Sequence, residues 1–567
     1  MSPAQTKGGM GGGLVPGTFP PPSALRPEMT GEKCGIVAGH PLVSMVAHDI
    51  FSAGGNAIDA GVAAGLASNV VQVDMANFGG IAPILVKTAG SSTVSSIAGV
   101  GRWSTTASLE EMLSRYGGAL PLDGAPAIVP AAPAAWLQTL SRFGTMSFED
   151  IAAPAIRLAK EGFLLDPGLA LSLNLSAKGF GQWPSSVNVY RPHGKPLAAG
   201  ERLRQPALAE TLTRLVEAEK SASGTREQRI RAAHNAFYTG DIAAIIVNWV
   251  TERGGFMTLD DLRLFEAEVG ATPTIGIGDW TFHSTPSWSQ GPVALQILGL
   301  LSRLPNSWHH TAEAITLAFN DREDHLCDPA YMEKAVAELL ADDYLDTLAA
   351  SVSDSALPGR HSSATKPGDI TSSTTSVVTI DAQGNVFSTS PSDTLDGGPI
   401  IPELGIMCSP RGVQSRLDPS HPNRLRPGAR PTITPAPIIG LKGDDAWAIA
   451  CPGGDVIVQA MAQVVWRVLR DGVGLQEAVE APRIAAFNAP SAFHPHPSAD
   501  RLVYAEGRLS EAETTGLRKH GHTVEIWPDF EFDAGSVQML RTSHTPDGNI
   551  VIDAGADPRR LAYAIVR

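Results

Sequence analysis

Short β-branched runs alternating with stretches of helical periodicity predict an α/β layered fold for this 567-residue chain. Three observations carry that expectation. The run Thr374 to Ile380 is followed by turn chemistry at Asp381-Ala382-Gln383-Gly384 and a second strand from Asn385 to Ser390, which reads as a hairpin. Trp447 to Cys451 reads as a strand, Pro452-Gly453-Gly454 as a turn and Val456 to Arg470 as a helix. A hydrophobic content of 43% supplies the apolar side chains for a large core.

The elements before the hairpin follow in order. Residues 1–34 are Gly- and Pro-rich and read as a flexible segment. From Gly35 a short strand leads into a helical pattern through Val46, Ile50, Ile58, Val62 and Leu66, split in two by Gly54-Gly55-Asn56. Strands are expected at Ile84 to Val86 and Val94 to Ile97, and helices from Trp136 to Phe163. Residues 205–350 read as mostly helical, with amphipathic stretches at Ile242 to Val250 and Thr311 to His325. A Ser/Thr/Pro/Gly-rich loop runs from Ser351 to Ser373.

Composition removes several function classes. The net charge is −15 with both signs mixed along the chain, which disfavours a nucleic-acid partner. The first thirty residues lack the apolar stretch of a secretory signal, and no uninterrupted apolar run reaches the length of a membrane span, so a cytoplasmic protein without a membrane partner is expected. Cys34, Cys327, Cys408 and Cys451 show no metal-binding spacing and read as buried thiols. His309-His310 and His494-Pro495-His496 lie in polar surroundings without a matching ligand set in the sequence, so surface histidines are expected and no metal is assigned. No phosphate-cradling GxxxxGK[ST] loop is present, and Ser287 stands where a serine-hydrolase elbow at Trp288-Ser289-Gln290-Gly291 needs glycine.

Two stretches carry chemistry. In Thr371-Ser372-Ser373-Thr374-Thr375-Ser376 the hydroxyls lead straight into a strand. A hydroxyl needs a base, and a threonine at a chain terminus has one in its own α-amine, which titrates near about 7.7 to 8.0. A solvated Ser/Thr linker would look the same. The second stretch is Cys451-Pro452-Gly453-Gly454-Asp455, where paired glycines open a helix and backbone N–H groups can meet a developing oxyanion; a plain tight turn is the other reading.

Ordered matches from Gly35 onward resemble the γ-glutamyltransferase family of N-terminal-nucleophile hydrolases. They include Gly54-Gly55-Asn56-Ala57-Ile58-Asp59-Ala60, Phe143-Gly144-Thr145-Met146, Phe237-Tyr238-Thr239-Gly240, Ala318-Phe319-Asn320-Asp321-Arg322, Pro452-Gly453-Gly454 and Ala481-Pro482-Arg483. The resemblance implies a four-layer αββα sandwich and a precursor that cuts itself between Ser373 and Thr374. It further implies a large chain of residues 35–373, a small chain of residues 374–567 and their association as a heterodimer, with a dimer of heterodimers left open. Thr374 becomes the nucleophile and base, with Ser372 the alternative if the alignment slips by two, and Gly453 and Gly454 form the oxyanion hole. Arg102, Ser392, Thr394, Arg411, Thr432 and Thr434 fall at substrate-binding positions. The acyl group of a small amide would pass to water or an amine without a cofactor.

The chain departs from the family pattern where substrate is gripped. Ile406-Met407-Cys408-Ser409-Pro410-Arg411 has no carboxylate where the family holds a glutamyl amino group, and Thr432-Ile433-Thr434 replaces paired serines. An acylase for a non-glutamyl acyl group is therefore the alternative, and a catalytically inactive relative a more distant one.

Overall fold

The computed structural model describes residues 24–192, 194–360, 374–393 and 395–567. Two seven-stranded sheets form its centre, each antiparallel throughout. One runs in the order Met29–Gly31, Ile550–Ala556, Gln538–His544, Asp445–Ala450, Ile438–Lys442, Trp280–Ser284 and Thr274–Ile277. The other runs Tyr563–Val566, Cys34–Ala38, Val377–Asp381, Val386–Thr389, Ile84–Lys87, Val94–Ile97 and Val269–Gly270.

Side-chain alternation along each strand builds the four layers. Val378 and Ile380 point between the sheets, where they meet Ala446, Ala448, Ala450, Leu540 and Ala554 of the opposite sheet. Val377 and Phe387 point the other way, into a core shared with the helix Ala57–Val71. Trp447 and Ile449 turn away from the sandwich toward the helices Gly291–Leu301 and Val456–Asp471. The run of alanines on one inner face lets the sheets approach closely. This is the αββα sandwich.

The expected hairpin is present, but regular pairing starts at Val377 rather than Thr374. Asp381 closes its turn, accepting from the Gln383 and Asn385 N–H groups at 3.0 Å each, and reaches the Ala57 N–H at 2.9 Å. Asn56 caps the same helix through a capping box with Asp59, which separates it from the helix Pro41–Ser52.

Two expectations need correction. Residues 29–31, placed in a flexible segment, form an edge strand against Gly31↔Ile552 to Met29↔Ala554, and Arg26 Nη1 bonds the Ala562 carbonyl at 2.7 Å. Unmet backbone groups at a sheet edge recruit this stretch despite its weak periodicity. The mostly helical region of residues 205–350 contains the hairpin Thr274–Ile277 and Trp280–Ser284, turned by Gly278 at φ 58°. Among the described residues, no helix is long and apolar enough to cross a membrane.

Candidate active site

Thr374 lies three residues before the central strand Val377–Asp381 and is buried at 1% exposure. An isolated bridge pairs it with Ser392, and the two hydroxyls are 2.8 Å apart. Ser392 is fixed from behind by backbone bonds with Ile81, at 3.0 and 3.3 Å. The next two residues anchor the approach to the strand: Thr375 Oγ1 donates to Gln72 Oε1 at 2.7 Å, and the Ser376 hydroxyl bonds Gln538.

Gln538 also locates the glycines. It opens the strand Gln538–His544 and is registered opposite Ala450, the last residue of the strand that leads to Gly453. The start of the nucleophile strand and the end of the glycine strand therefore lie at the same end of the sandwich. Gly453 has φ 136° and Gly454 φ 58°, conformations that a side chain would strain. They open the helix Val456–Asp471, whose N-terminus is its positive end. Among the described residues, neither glycine N–H donates a backbone hydrogen bond.

Arg411, read as a partner for substrate carboxylate, is instead committed to the protein. Its guanidinium bonds Asp393 and Ser392, with side-chain exposures of 3% for Arg411 and 0% for Asp393. Burial pushes the Asp393 carboxyl above its ordinary range, and the adjacent guanidinium pulls it back. Asp393 sits at φ 141°, an unusual backbone for a residue other than glycine, so the pair is held in a strained place. The sequence reading missed this carboxylate; its one signal is a lone acid in the run Ser390-Pro391-Ser392-Asp393.

Arg102 is likewise engaged. It bonds Glu268 at 2.9 Å, the Gly428 carbonyl at 2.9 Å and Asp328 at 3.4 Å, beside Arg430, which ion-pairs with the same Glu268 at 3.0 Å. Burial would raise the Glu268 carboxyl, but Arg430 and Arg102 hold it below its ordinary range. No contact ties the Arg102 side chain to Thr374 among the described residues.

Thr432 and Thr434 are buried beside the glycine turn. Thr432 Oγ1 donates to the Ser287 carbonyl at 3.1 Å, and the Ile433 carbonyl accepts from the Gln290 N–H at 2.9 Å. The Gln290 side chain reaches Asp455, next to Gly454, at 2.7 Å. Ser373 and Thr394, also expected here, and the alternative Ser372 lie outside the described residues.

Rival nucleophiles are disfavoured by their surroundings. All four cysteines are buried and free, and burial pushes the Cys451 and Cys408 thiols up to about 12. Ser289 is fully buried and turned to Thr285 Oγ1, at 2.5 Å, and the Pro286 carbonyl, at 3.0 Å. His309, expected at the surface, is 2% exposed because its helix packs that face inward.

The sequence profile of the family described as Gamma-glutamyltranspeptidase matches residues 43–566. The Glutathione hydrolase-like YwrD proenzyme of Bacillus subtilis (strain 168) is 26% identical over 555 residues, covering 95% of this chain and 100% of that protein. The Acylase ACY 1 proenzyme of Pseudomonas sp. (strain SE83) is 30% identical over 548 residues, covering 92% and 91%. Among solved structures, cephalosporin acylase from Bacillus halodurans superposes with a TM-score of 0.84 at 26% identity, covering 98% of this chain and 99% of that one. With the sandwich, the buried threonine at the head of its central strand and a profile spanning nearly the whole sequence, the chain belongs to the gamma-glutamyltranspeptidase family of self-processing amide hydrolases and acyltransferases.

Proposed function

We propose that Thr374 is the nucleophile of an acylase whose preferred acyl group carries no amino group. The carrying observation is the Asp393–Arg411 pair: the buried carboxylate that follows Ser392, the residue touching Thr374, is ion-paired with an arginine. A γ-glutamyl donor brings an ammonium, and an ammonium entering a closed site without a free acid costs several kcal/mol of desolvation. A des-amino acyl chain avoids that cost.

In this mechanism self-cleavage before Thr374 frees its α-amine. Arg411 is a pure donor, so it occupies an acceptor lone pair of Ser392 Oγ and holds that hydroxyl within hydrogen-bond distance of Thr374 Oγ1, at 2.8 Å. The Thr374 proton passes to the α-amine as Oγ1 attacks the amide carbonyl, and the Gly453 and Gly454 N–H groups receive the oxyanion. The amine then protonates the leaving group, and water or an acceptor amine takes the acyl group from Oγ1. The two chains stay together as a heterodimer because the nucleophile strand Val377–Asp381 is hydrogen-bonded to Cys34–Ala38 of the large chain.

One observation favours a second reading, ordinary γ-glutamyl transfer: Asp393, one residue from Ser392, has its second carboxylate oxygen without a hydrogen-bond partner among the described residues. Side-by-side kcat/KM for a glutaryl anilide and its γ-glutamyl counterpart separates the two. The proposal expects the glutaryl compound to be cleaved at least as efficiently. A preference of about a hundredfold for the γ-glutamyl compound, about 2.8 kcal/mol, would establish the second reading.

A further inference from the structure

Away from the nucleophile, one helix and one strand bring together three ligand-type side chains that the sequence keeps far apart. His309 and Glu313 stand one turn apart on the helix Trp308–His325, and His522 immediately precedes the strand Thr523–Trp527. All three are buried. His309 Nδ1 is 2.9 Å from His522 Nε2, His522 Nε2 is 3.7 Å from Glu313 Oε1, and the three donor atoms lie within 4.8 Å of one another. Donors bound to one tetrahedral zinc ion at about 2.0–2.1 Å stand about 3.3 Å apart. The observed spacings bracket that value.

The hydrogen bonds around the cluster orient it further. His309 Nε2 lies 2.8 Å from the Ser353 carbonyl, which only accepts, so Nε2 carries the proton and Nδ1 presents its lone pair to the cluster. A histidine whose second nitrogen donates to a backbone carbonyl is the arrangement that metal-ligating histidines use. Glu313 is held through one oxygen by the Leu357 N–H at 3.1 Å. Its other oxygen, Oε1, faces the histidines with no hydrogen-bond partner among the described residues, although the side chain is 0% exposed. A buried carboxylate oxygen without a partner is costly, and a cation at the centre of the cluster satisfies it.

We propose that His309, Glu313 and His522 form a site for a divalent transition-metal ion of the zinc type, with a fourth position for solvent. Two imidazoles and one carboxylate suit that class better than magnesium or calcium, which prefer all-oxygen shells. His522 Nε2 gives up the proton it shares with His309; that proton moves to His522 Nδ1, and Glu313 binds as the carboxylate. An adjacent cleft of about 430 Å³, walled by Trp308, His309 and His520, gives the ion a route in. His309 and Glu313 precede Thr374 and His522 follows it, so the ion would tie together the two products of self-cleavage.

The test uses the full-length protein stripped with a chelator and dialysed into metal-free buffer. After addition of zinc chloride and gel filtration, elemental analysis should find one zinc per chain. Cobalt(II) should give the intense visible bands of tetrahedral coordination, bleached by zinc. His522→Ala and Glu313→Gln should each weaken zinc retention at least about tenfold, while His494→Ala, outside the cluster, keeps it. A wild-type protein that retains no zinc and shows no cobalt bands overturns the proposal whatever the variants do. Equal retention by the wild type and both variants overturns it as well.

Discussion

Arg411 and Arg102 both contact carboxylates, and both are expected from the sequence to bind substrate, but their surroundings differ. Arg411 is buried with one carboxylate, Asp393, in a strained backbone, and its guanidinium also holds the hydroxyl that touches Thr374. Arg102 is 33% exposed and shares Glu268 and Asp328 with Arg430, so any one bond has substitutes. A buried pair fixes geometry, whereas a redundant, half-wet cluster can lend a cation elsewhere at small cost.

The largest effect is expected at the buried pair. Arg411→Ala takes away the guanidinium that offsets the burial of the Asp393 carboxyl, and should lower unfolding stability by about 3–5 kcal/mol. It also releases Ser392, and a displaced nucleophile partner should reduce kcat/KM on the order of a hundredfold. Chemical denaturation and steady-state kinetics measure the two separately. Adding Asp393→Leu should restore most of the stability without restoring activity. An Arg411→Ala protein of wild-type stability and activity would show that the pair organises nothing.

The smallest effect is expected at the exposed cluster. Arg102→Ala should change stability by no more than about 1 kcal/mol, because Arg430 keeps both carboxylates partnered. Its kcat/KM on the glutaryl anilide should stay within about threefold of wild type. A rise in KM of about tenfold or more would instead place Arg102 on the substrate and reverse the contrast between the two arginines.

What was legible in the sequence was what local chemistry writes along the chain. The β-branched run before Asp381 marked the central hairpin, Gly54-Gly55-Asn56 marked the break between two helices, and Gly453-Gly454 marked the strand-to-helix turn at the site. Partners contributed from elsewhere in the fold were not legible. Asp393 and Arg411 are 18 residues apart with no periodic relation, and Gln538 reaches Ser376 across 162 residues. His309 looked like a surface residue because its ligand-type neighbour His522 lies 213 residues away. The hairpin Thr274–Ile277 and Trp280–Ser284 was missed because it interrupts long amphipathic helices whose pattern dominates that region.

Central to the account is Thr374 as both the point of self-cleavage and the nucleophile, and intact-mass spectrometry of the active wild-type protein beside Thr374→Ala tests it most directly. The wild type should appear as two chains, residues 1–373 and 374–567, and the variant as one inactive chain of full length. A wild-type protein that is fully active as a single uncut chain, or a Thr374→Ala protein that still splits at that bond, would contradict it.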